Sequence, residues 1–315
     1  MKIGTLLPSA TEIVCALGLE KSLVGISHEC DFPASVQRLP KLTSSSIGGH
    51  KSSGDIHRSV ESLLQNALSV YDLDLEALRF LRPDFLITQD LCDVCAVSFD
   101  QVKAACNEAL GPDTKIISLR PQRLDDIWED VRHVAQELGA VSAFAEFKRD
   151  VDQRIKYIRN KLAEKPSGKK SVLTIEWYDP VMVGGLWVPE MIDIAGGVAL
   201  LATAGEPART VSRHDLSGVD PDTVVIKPCG FNLEQTLGEL DTLKKNVPLE
   251  SWTAYQENKI FAVDGNAYFN RPGPRILDSL EIMSYCLHPE IFPEFHESYG
   301  QSLVRLGPGL NVPSK

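Results

Sequence analysis

Between residues 123 and 165 the apolar side chains recur with helical spacing: Ile127, Val131, Val134 and Leu138, then Phe144, Phe147, Val151, Ile155, Ile158 and Leu162. On either side of this stretch the pattern changes to short apolar runs alternating with amphipathic segments, the signature of parallel βα units. The chain therefore reads as two α/β lobes with a helical element between them. Taken as one helix bent at Gly139, about 40 residues at 1.5 Å each would reach about 60 Å. The other reading is a helical hairpin broken at Gly139. Pro166-Ser167-Gly168 ends the element.

In the first lobe, strands are expected at Ile3–Leu7, Leu23–Ser27, Phe85–Thr88 and Lys115–Leu119. Ser9-Ala10-Thr11-Glu12 matches a capping box opening a helix that stops at Gly18. Residues 31–54 read as a long loop, followed by helices at about 55–70 and 74–81, and by Val102–Leu110 after a second capping signature at Ser98–Gln101. In the second lobe, strands are expected at Ser171–Trp177 and Thr223–Ile226, and helices at Val188–Ala195 and Pro274–Leu287. Both lobes place Pro-Asp before a buried strand, at Pro83-Asp84 and Pro221-Asp222. The expected division is 1–121 for the first lobe, 122–166 for the linking helix, 167–290 for the second lobe and 291–315 for a tail.

The chain of 315 residues carries 32 Lys and Arg against 43 Asp and Glu, a net charge of −11. It lacks the positive field that draws proteins to nucleic acid or anionic lipid, so neither is an expected partner. No apolar run approaches the roughly 20 residues needed to cross a bilayer. Met1-Lys2-Ile3-Gly4-Thr5 enters a strand-like run at once, which leaves no room for a signal peptide. Seven cysteines are an odd number in a chain large enough not to need disulfides. The expectation is reduced thiols in the cytoplasm.

Ligands of open parallel sheets gather beyond the carboxyl ends of the strands. The residues that follow each strand therefore nominate the site. In the first lobe these are Pro8 and Ser9, then His28, Cys30 and Phe32, then Asp90, Cys92 and Cys95. In the second they are Trp177, Tyr178 and Trp187, then Cys229 and Phe231, then Tyr268, Phe269 and Arg271. Aromatic rings at strand ends suit a large, flat, partly apolar ligand, although each ring could equally pack its own loop.

Cys92-x-x-Cys95 admits three readings: structural or ligand-lining thiols, a redox dithiol, or, with His28 and Cys30, a four-ligand site for a transition metal. His50, His57 and His133 fall on polar or amphipathic stretches and read as solvated. The chain has no Gly-x-Ser-x-Gly elbow, no His-Glu-x-x-His, no Walker loop and no Gly-x-Gly-x-x-Gly after a strand. Glu176, Asp179 and Asp90 could do acid–base work, but no nucleophile pairs with them. The chain is expected not to be an enzyme.

Several segments carry a family resemblance. Leu6-Leu7-Pro8-Ser9-Ala10-Thr11-Glu12, His28-Glu29-Cys30-Asp31-Phe32-Pro33, Val188-Pro189-Glu190-Met191 and Phe269-Asn270-Arg271-Pro272-Gly273-Pro274-Arg275 resemble the vitamin B12-binding proteins of ABC importers. These belong to the class III periplasmic-binding-protein-like receptors for corrinoids, siderophores, haem and metals. His-Glu-Cys-Asp and Cys-Asp-Val-Cys-Ala look like an intracellular cobalamin-binding branch. The resemblance implies the helical-backbone metal receptor fold: two Rossmann-like α/β lobes with central parallel sheets, joined by one long helix that restricts closure. It implies cobalamin or another corrinoid as ligand in a cleft between the lobes, with His28 or a cysteine as a conceivable cobalt ligand. The alternatives are a metal, haem or ferric-chelate receptor, and a cysteine-dependent enzyme. Family members dock on a permease through one surface carboxylate per lobe. The corresponding positions here, Pro40 and Asn270, carry none, which speaks against a permease partner.

Overall fold

A computed structural model describes residues 1–45, 52–65, 71–89, 110, 113–166 and 168–308, with the backbone alone for 61–65 and 71. The expected helix at Val102–Leu110, the capping signature before it, and the candidates Asp90, Cys92, Cys95 and His50 lie outside the described residues. The chain divides into two compact units. The first comprises Met1–Lys51, Asp55–Pro121 and Asp125–Arg149; the second comprises Ser52–Gly54, Gln122–Leu124 and Asp150–Lys315.

The first unit is built on a parallel sheet of four strands, β1 (Ile3–Thr5), β2 (Leu23–Gly25), β5 (Phe85–Gln89) and β6 (Lys115–Leu119), in the order β2-β1-β5-β6. Alternate residues of these strands feed opposite faces, as a two-residue repeat requires. Ile3, Ile87 and Ile117 face Ile13 and Val14 of the helix Pro8–Ala16 and Val131 and Val134 of the helix Leu124–Glu137. Leu86 and the partly buried Ile116 belong to a second layer with Leu42 and with Leu78 of the helix Leu75–Leu81. Residues 31–54, expected as loop, contain β3 (Thr43–Ser45), which pairs antiparallel with β4 (Tyr71–Leu73). The helix expected at 55–70 is observed as Ser53–Gln65.

The second unit has a seven-stranded sheet in the order β10-β8-β7-β11-β12-β13: β7 (Lys170–Tyr178), β8 (Val181–Val183), β10 (Arg209–Thr210), β11 (Thr223–Ile226), β12 (Ile260–Val263) and β13 (Leu303–Leu306), with β9 (Gly197–Ala199) also paired to β7. The central strands β7, β11 and β12 are parallel. Leu173, Ile175, Val224, Ile226, Ile260 and Ala262 fill one hydrophobic layer. On the opposite face Phe261 meets Tyr285 of the helix Ile276–Leu287 edge-on, with ring centroids 6.2 Å apart.

The α/β class stands, but two expectations need correction. The stretch 122–166 is not one helix of about 40 residues. It is two helices, Leu124–Glu137 and Val141–Glu164, the second of 24 residues and thus about 36 Å long. Gly139, at φ +70°, ends the first. Its amide donates to Gln136 O, and the amide of Ala140 donates to Ala135 O; this Schellman pair stops a helix at a left-handed residue. The apolar period continues across the break because both segments bury a face, so periodicity alone did not reveal it. Val141–Glu164 supplies residues to both units.

The stretch 291–308 is also no tail. It forms the helix Pro293–Tyr299 and the strand β13, antiparallel to β12. Phe292 and Phe295 stack with centroids 5.3 Å apart and are buried. Arg154 of the long helix donates to Glu281 and Asp278 at 2.8 and 2.6 Å, and Lys161 and Tyr157 both donate to Glu294 at 2.7 Å.

Candidate functional site

In the first unit, chain reversal after β1 begins the helix Pro8–Ala16 at once. The proline stands in the first turn, where no amide partner is needed. Leu7 is the N-cap and makes no side-chain capping bond, so the expected Ser9–Glu12 capping box does not form. Ser9 lies inside the first turn with its hydroxyl buried and without a hydrogen-bond partner among the described residues. Beyond it the strand ends carry a neutral network. Thr5 and Thr11 hydroxyls are 2.6 Å apart, and Thr11 Oγ1 is 3.0 Å from Cys30 Sγ. Thr43 Oγ1 donates to Ser27 Oγ at 3.0 Å and accepts from the His28 backbone amide at 3.1 Å.

His28 Nδ1 is 2.7 Å from the same Thr43 oxygen. Thr43 Oγ1 thus joins Ser27, the His28 amide and the His28 ring in one cluster. The imidazole is half-buried. Burial disfavours its cation and holds its pKa below the usual histidine value; Glu29 opposes this and Lys41 adds to it.

Two first-unit candidates divide sharply. Phe32 is exposed, whereas Cys30 is buried in the hydrophobic core around Ile3 and Ile26. The expectation that Cys30 lines a ligand or metal site is corrected: its thiol faces inward to Thr11, since the chain turns back at Ser27, whose carbonyl accepts from the Cys30 amide. Among the described residues no group of three or more His, Cys, Asp and Glu is placed to hold a metal ion.

The second unit assembles a charged and aromatic edge. Lys227 follows directly on β11, one register step from Glu176 at the end of the paired β7. The pairing continues past the strand: the amides of Lys227 and Cys229 donate to the carbonyls of Ile175 and Glu176. The Lys227 side chain is wholly buried. Its ammonium donates to Glu176 Oε2 at 2.5 Å and to Asn270 Oδ1 at 3.0 Å. The Asn270 amide in turn donates to Lys227 O and Gly265 O. Gly184 leaves the space this requires, for a Cβ there would lie 2.7 Å from Thr174 Oγ1 and 3.0 Å from Lys227 Cε.

Around this lock the loops carry rings. Trp177 meets Phe231 at 5.3 Å, and Tyr178 meets the same ring edge-on at 6.3 Å. Phe231 O accepts from the Asn266 amide, which links the loops after β11 and β12, and within the latter Asn266 Oδ1 accepts from Arg271 at 2.8 Å. Tyr268 is half-buried between Tyr299, 6.0 Å away edge-on, and Arg275, 5.7 Å over its ring. Cys229 is exposed.

Three expected cleft rings are interior instead. Tyr178 is buried, its hydroxyl donating to Thr236 O at 3.2 Å, and burial pushes its pKa well up. Trp187 is buried and donates through Nε1 to Phe269 O at 2.9 Å. Phe269 is also buried, at φ +69°, a region an aromatic residue seldom adopts. The Trp187 bond and a second from Phe269 N to Ser279 Oγ at 2.8 Å hold it there. Next to Tyr178 and Phe269, the neighbouring rings Trp177 and Tyr268 keep partial exposure. The indole N–H of Trp177 is itself buried with no partner among the described residues.

Lys227 and Asn270 were not among the candidates. A lysine directly after the apolar run Thr223–Ile226 was the available signal, because a buried lysine demands a partner. Glu176 was noted only for acid–base work, and its bond to Lys227 could not be read from positions 51 residues apart.

Both units thus carry sheets with parallel central strands, and among the described residues no helix is long and apolar enough to cross a membrane. The chain belongs to the periplasmic binding protein family, whose model matches residues 3–267. The Vitamin B12-binding protein of Vibrio cholerae serotype O1 is 22% identical over 303 residues, covering 89% of this chain and 86% of the relative. The uncharacterized ABC transporter substrate-binding lipoprotein YvrC of Bacillus subtilis is 21% identical, covering 93% and 82%. Among solved structures, a periplasmic heme binding protein from Pseudomonas aeruginosa superposes with a TM-score of 0.69 at 20% identity, covering 91% of this chain and 92% of its own. The vitamin B12-binding protein BtuF of Vibrio cholerae gives 0.63 at 20%, covering 91% and 96%. The fold is that of the class III periplasmic binding proteins.

Proposed function

We propose that this protein binds cobalamin or a related corrinoid, without catalysis, at the carboxyl ends of its strands. The observation that carries this reading is the second-unit edge, where Trp177 at the end of β7 and Tyr268 and Arg271 on the loop after β12 are joined through Phe231 and Asn266. It stands in a chain matched over 89% of its length by a Vitamin B12-binding protein. Partly exposed rings offer apolar contact to a corrin face, and bonded loop amides suit its polar fringe. In the first unit, Thr43 Oγ1 lies 2.7 Å from His28 Nδ1, a contact that orients the imidazole for a metal-bearing ligand.

The reading places the protein in a reducing compartment, where a cobalt ligand and exposed thiols coexist. In support, Cys15, Cys30, Cys229 and Cys286 are all unbridged thiols. It also assigns no permease-docking role to Asn270, whose side chain is engaged with Lys227.

Equilibrium dialysis and visible-spectrum titration with cyanocobalamin, dicyanocobinamide and haemin under reducing conditions test the proposal. The expected result is stoichiometric corrinoid binding tighter than about 100 μM, equivalent to about −5.5 kcal/mol. Binding of haemin alone, or of none of the three, overturns it.

A further inference from the structure

The buried ion pair in the second unit has an asymmetry that bears on ligand choice. Lys227 is completely enclosed, while Glu176 keeps 22% of its side chain exposed. The ammonium is held by Glu176 Oε2 and by Asn270 Oδ1. Its positive charge is therefore spent internally. What the pair presents at the strand edge is the other carboxylate oxygen, Oε1, which has no hydrogen-bond partner among the described residues. Trp177, next in sequence, is the ring proposed to meet the ligand. Arg271, on the loop after β12, is mostly buried and donates to Asn266 Oδ1.

A fixed carboxylate at a ligand-facing edge discriminates by chemistry. The corrin periphery carries carboxamides, whose N–H groups donate to a carboxylate oxygen in charge-assisted bonds. The periphery of haem carries carboxylates, which offer Oε1 no N–H donor. We infer that Glu176, positioned by Lys227 and Asn270, is a specificity residue that favours an amide-fringed corrinoid over a carboxylate-fringed porphyrin. This rests on the corrinoid reading above and names the residue through which it would operate. Gly184 adjoins the device, since a Cβ there would crowd Thr174 Oγ1, Lys227 Cε and Glu176 Oε2 at 2.7, 3.0 and 3.3 Å.

The test compares the full chain with Glu176→Gln, titrating each with dicyanocobinamide and with haemin. Glutamine retains an oxygen for Lys227 and removes the charge. Cobinamide binding should weaken and haemin binding should strengthen, so that the ratio of the two affinities falls by about tenfold or more, equivalent to about 1.4 kcal/mol. A purely structural role would weaken both ligands equally. An equal change, no change, or a wild-type preference for haemin overturns the inference. A wild-type chain that binds neither ligand overturns the functional reading itself, a separate outcome. If Glu176→Gln fails to fold, the double variant Glu176→Gln/Lys227→Met removes the buried charge together with its partner. It supports the same ratio measurement.

Discussion

The two units end their strands in opposite chemical styles. Among the described residues at the carboxyl edge of the first sheet, the hydrogen-bonded network is made of small neutral groups: the hydroxyls of Thr5, Thr11, Ser27 and Thr43 and the thiol of Cys30, with the His28 imidazole, whose cation burial disfavours, bonded to Thr43. At the edge of the second sheet a buried ammonium, a carboxylate and an amide interlock, ringed by Trp177, Phe231 and Tyr268. The difference lies in what holds the loops. Neutral hydroxyl chains contribute little each, whereas a buried charge leaves its partners almost no freedom to depart. The second edge is thus tied by a buried charge, and the described part of the first by neutral hydrogen bonds.

The largest test of that contrast is Lys227→Ala. It strands Glu176 and Asn270 and opens a cavity where the stem lay, so it should destabilise the protein by about 3–5 kcal/mol in urea unfolding. A loss under 1 kcal/mol would show that the pair is not what secures the second edge.

Thr11→Val probes the neutral counterpart. It removes the partner of the buried Thr5 hydroxyl and should lower stability by about 1–3 kcal/mol. The double change Thr5→Val/Thr11→Val should recover most of this, since no orphaned hydroxyl is left. A double variant worse than the sum of the singles would mean that the network is worth more than its separate bonds.

The smallest effect concerns His28. Its folded pKa lies below the ordinary 6.5, so the unfolded chain takes up the proton more readily. The stability this confers is fully present above about pH 6.5 and is lost as pH falls through the folded value. His28→Gln should flatten the stability profile below pH 6.5, and an NMR titration of the ring should give a midpoint under 6.5. A midpoint above that value would reverse the sign and remove the neutral imidazole from the first edge.

Much of the frame was legible before any coordinates. The runs Phe85–Thr88 and Thr223–Ile226 declared buried parallel strands because both their faces are covered, which leaves continuous apolar sequence. The positions after each strand were also legible as the place to look, because carboxyl edges are where open sheets present their loops. What failed was depth. Tyr178, Trp187 and Phe269 resemble ligand-facing rings in sequence, yet each is turned inward by a bond to a distant carbonyl or hydroxyl. The strand β13 and the aromatic stack at Phe292 and Phe295 were missed, for a short segment after the last long helix carries little periodic signal.

The amino-acid order alone settles the alternation of strands and helices and the family, because these depend on patterns written along the chain. Only the tertiary structure decides that Lys227 is buried, that Glu176 and Asn270 receive it, and which rings remain partly open. Those outcomes arise from groups 43 and 51 residues distant along the chain meeting at the end of one sheet, and burial turns a solvated lysine into a fixed partner.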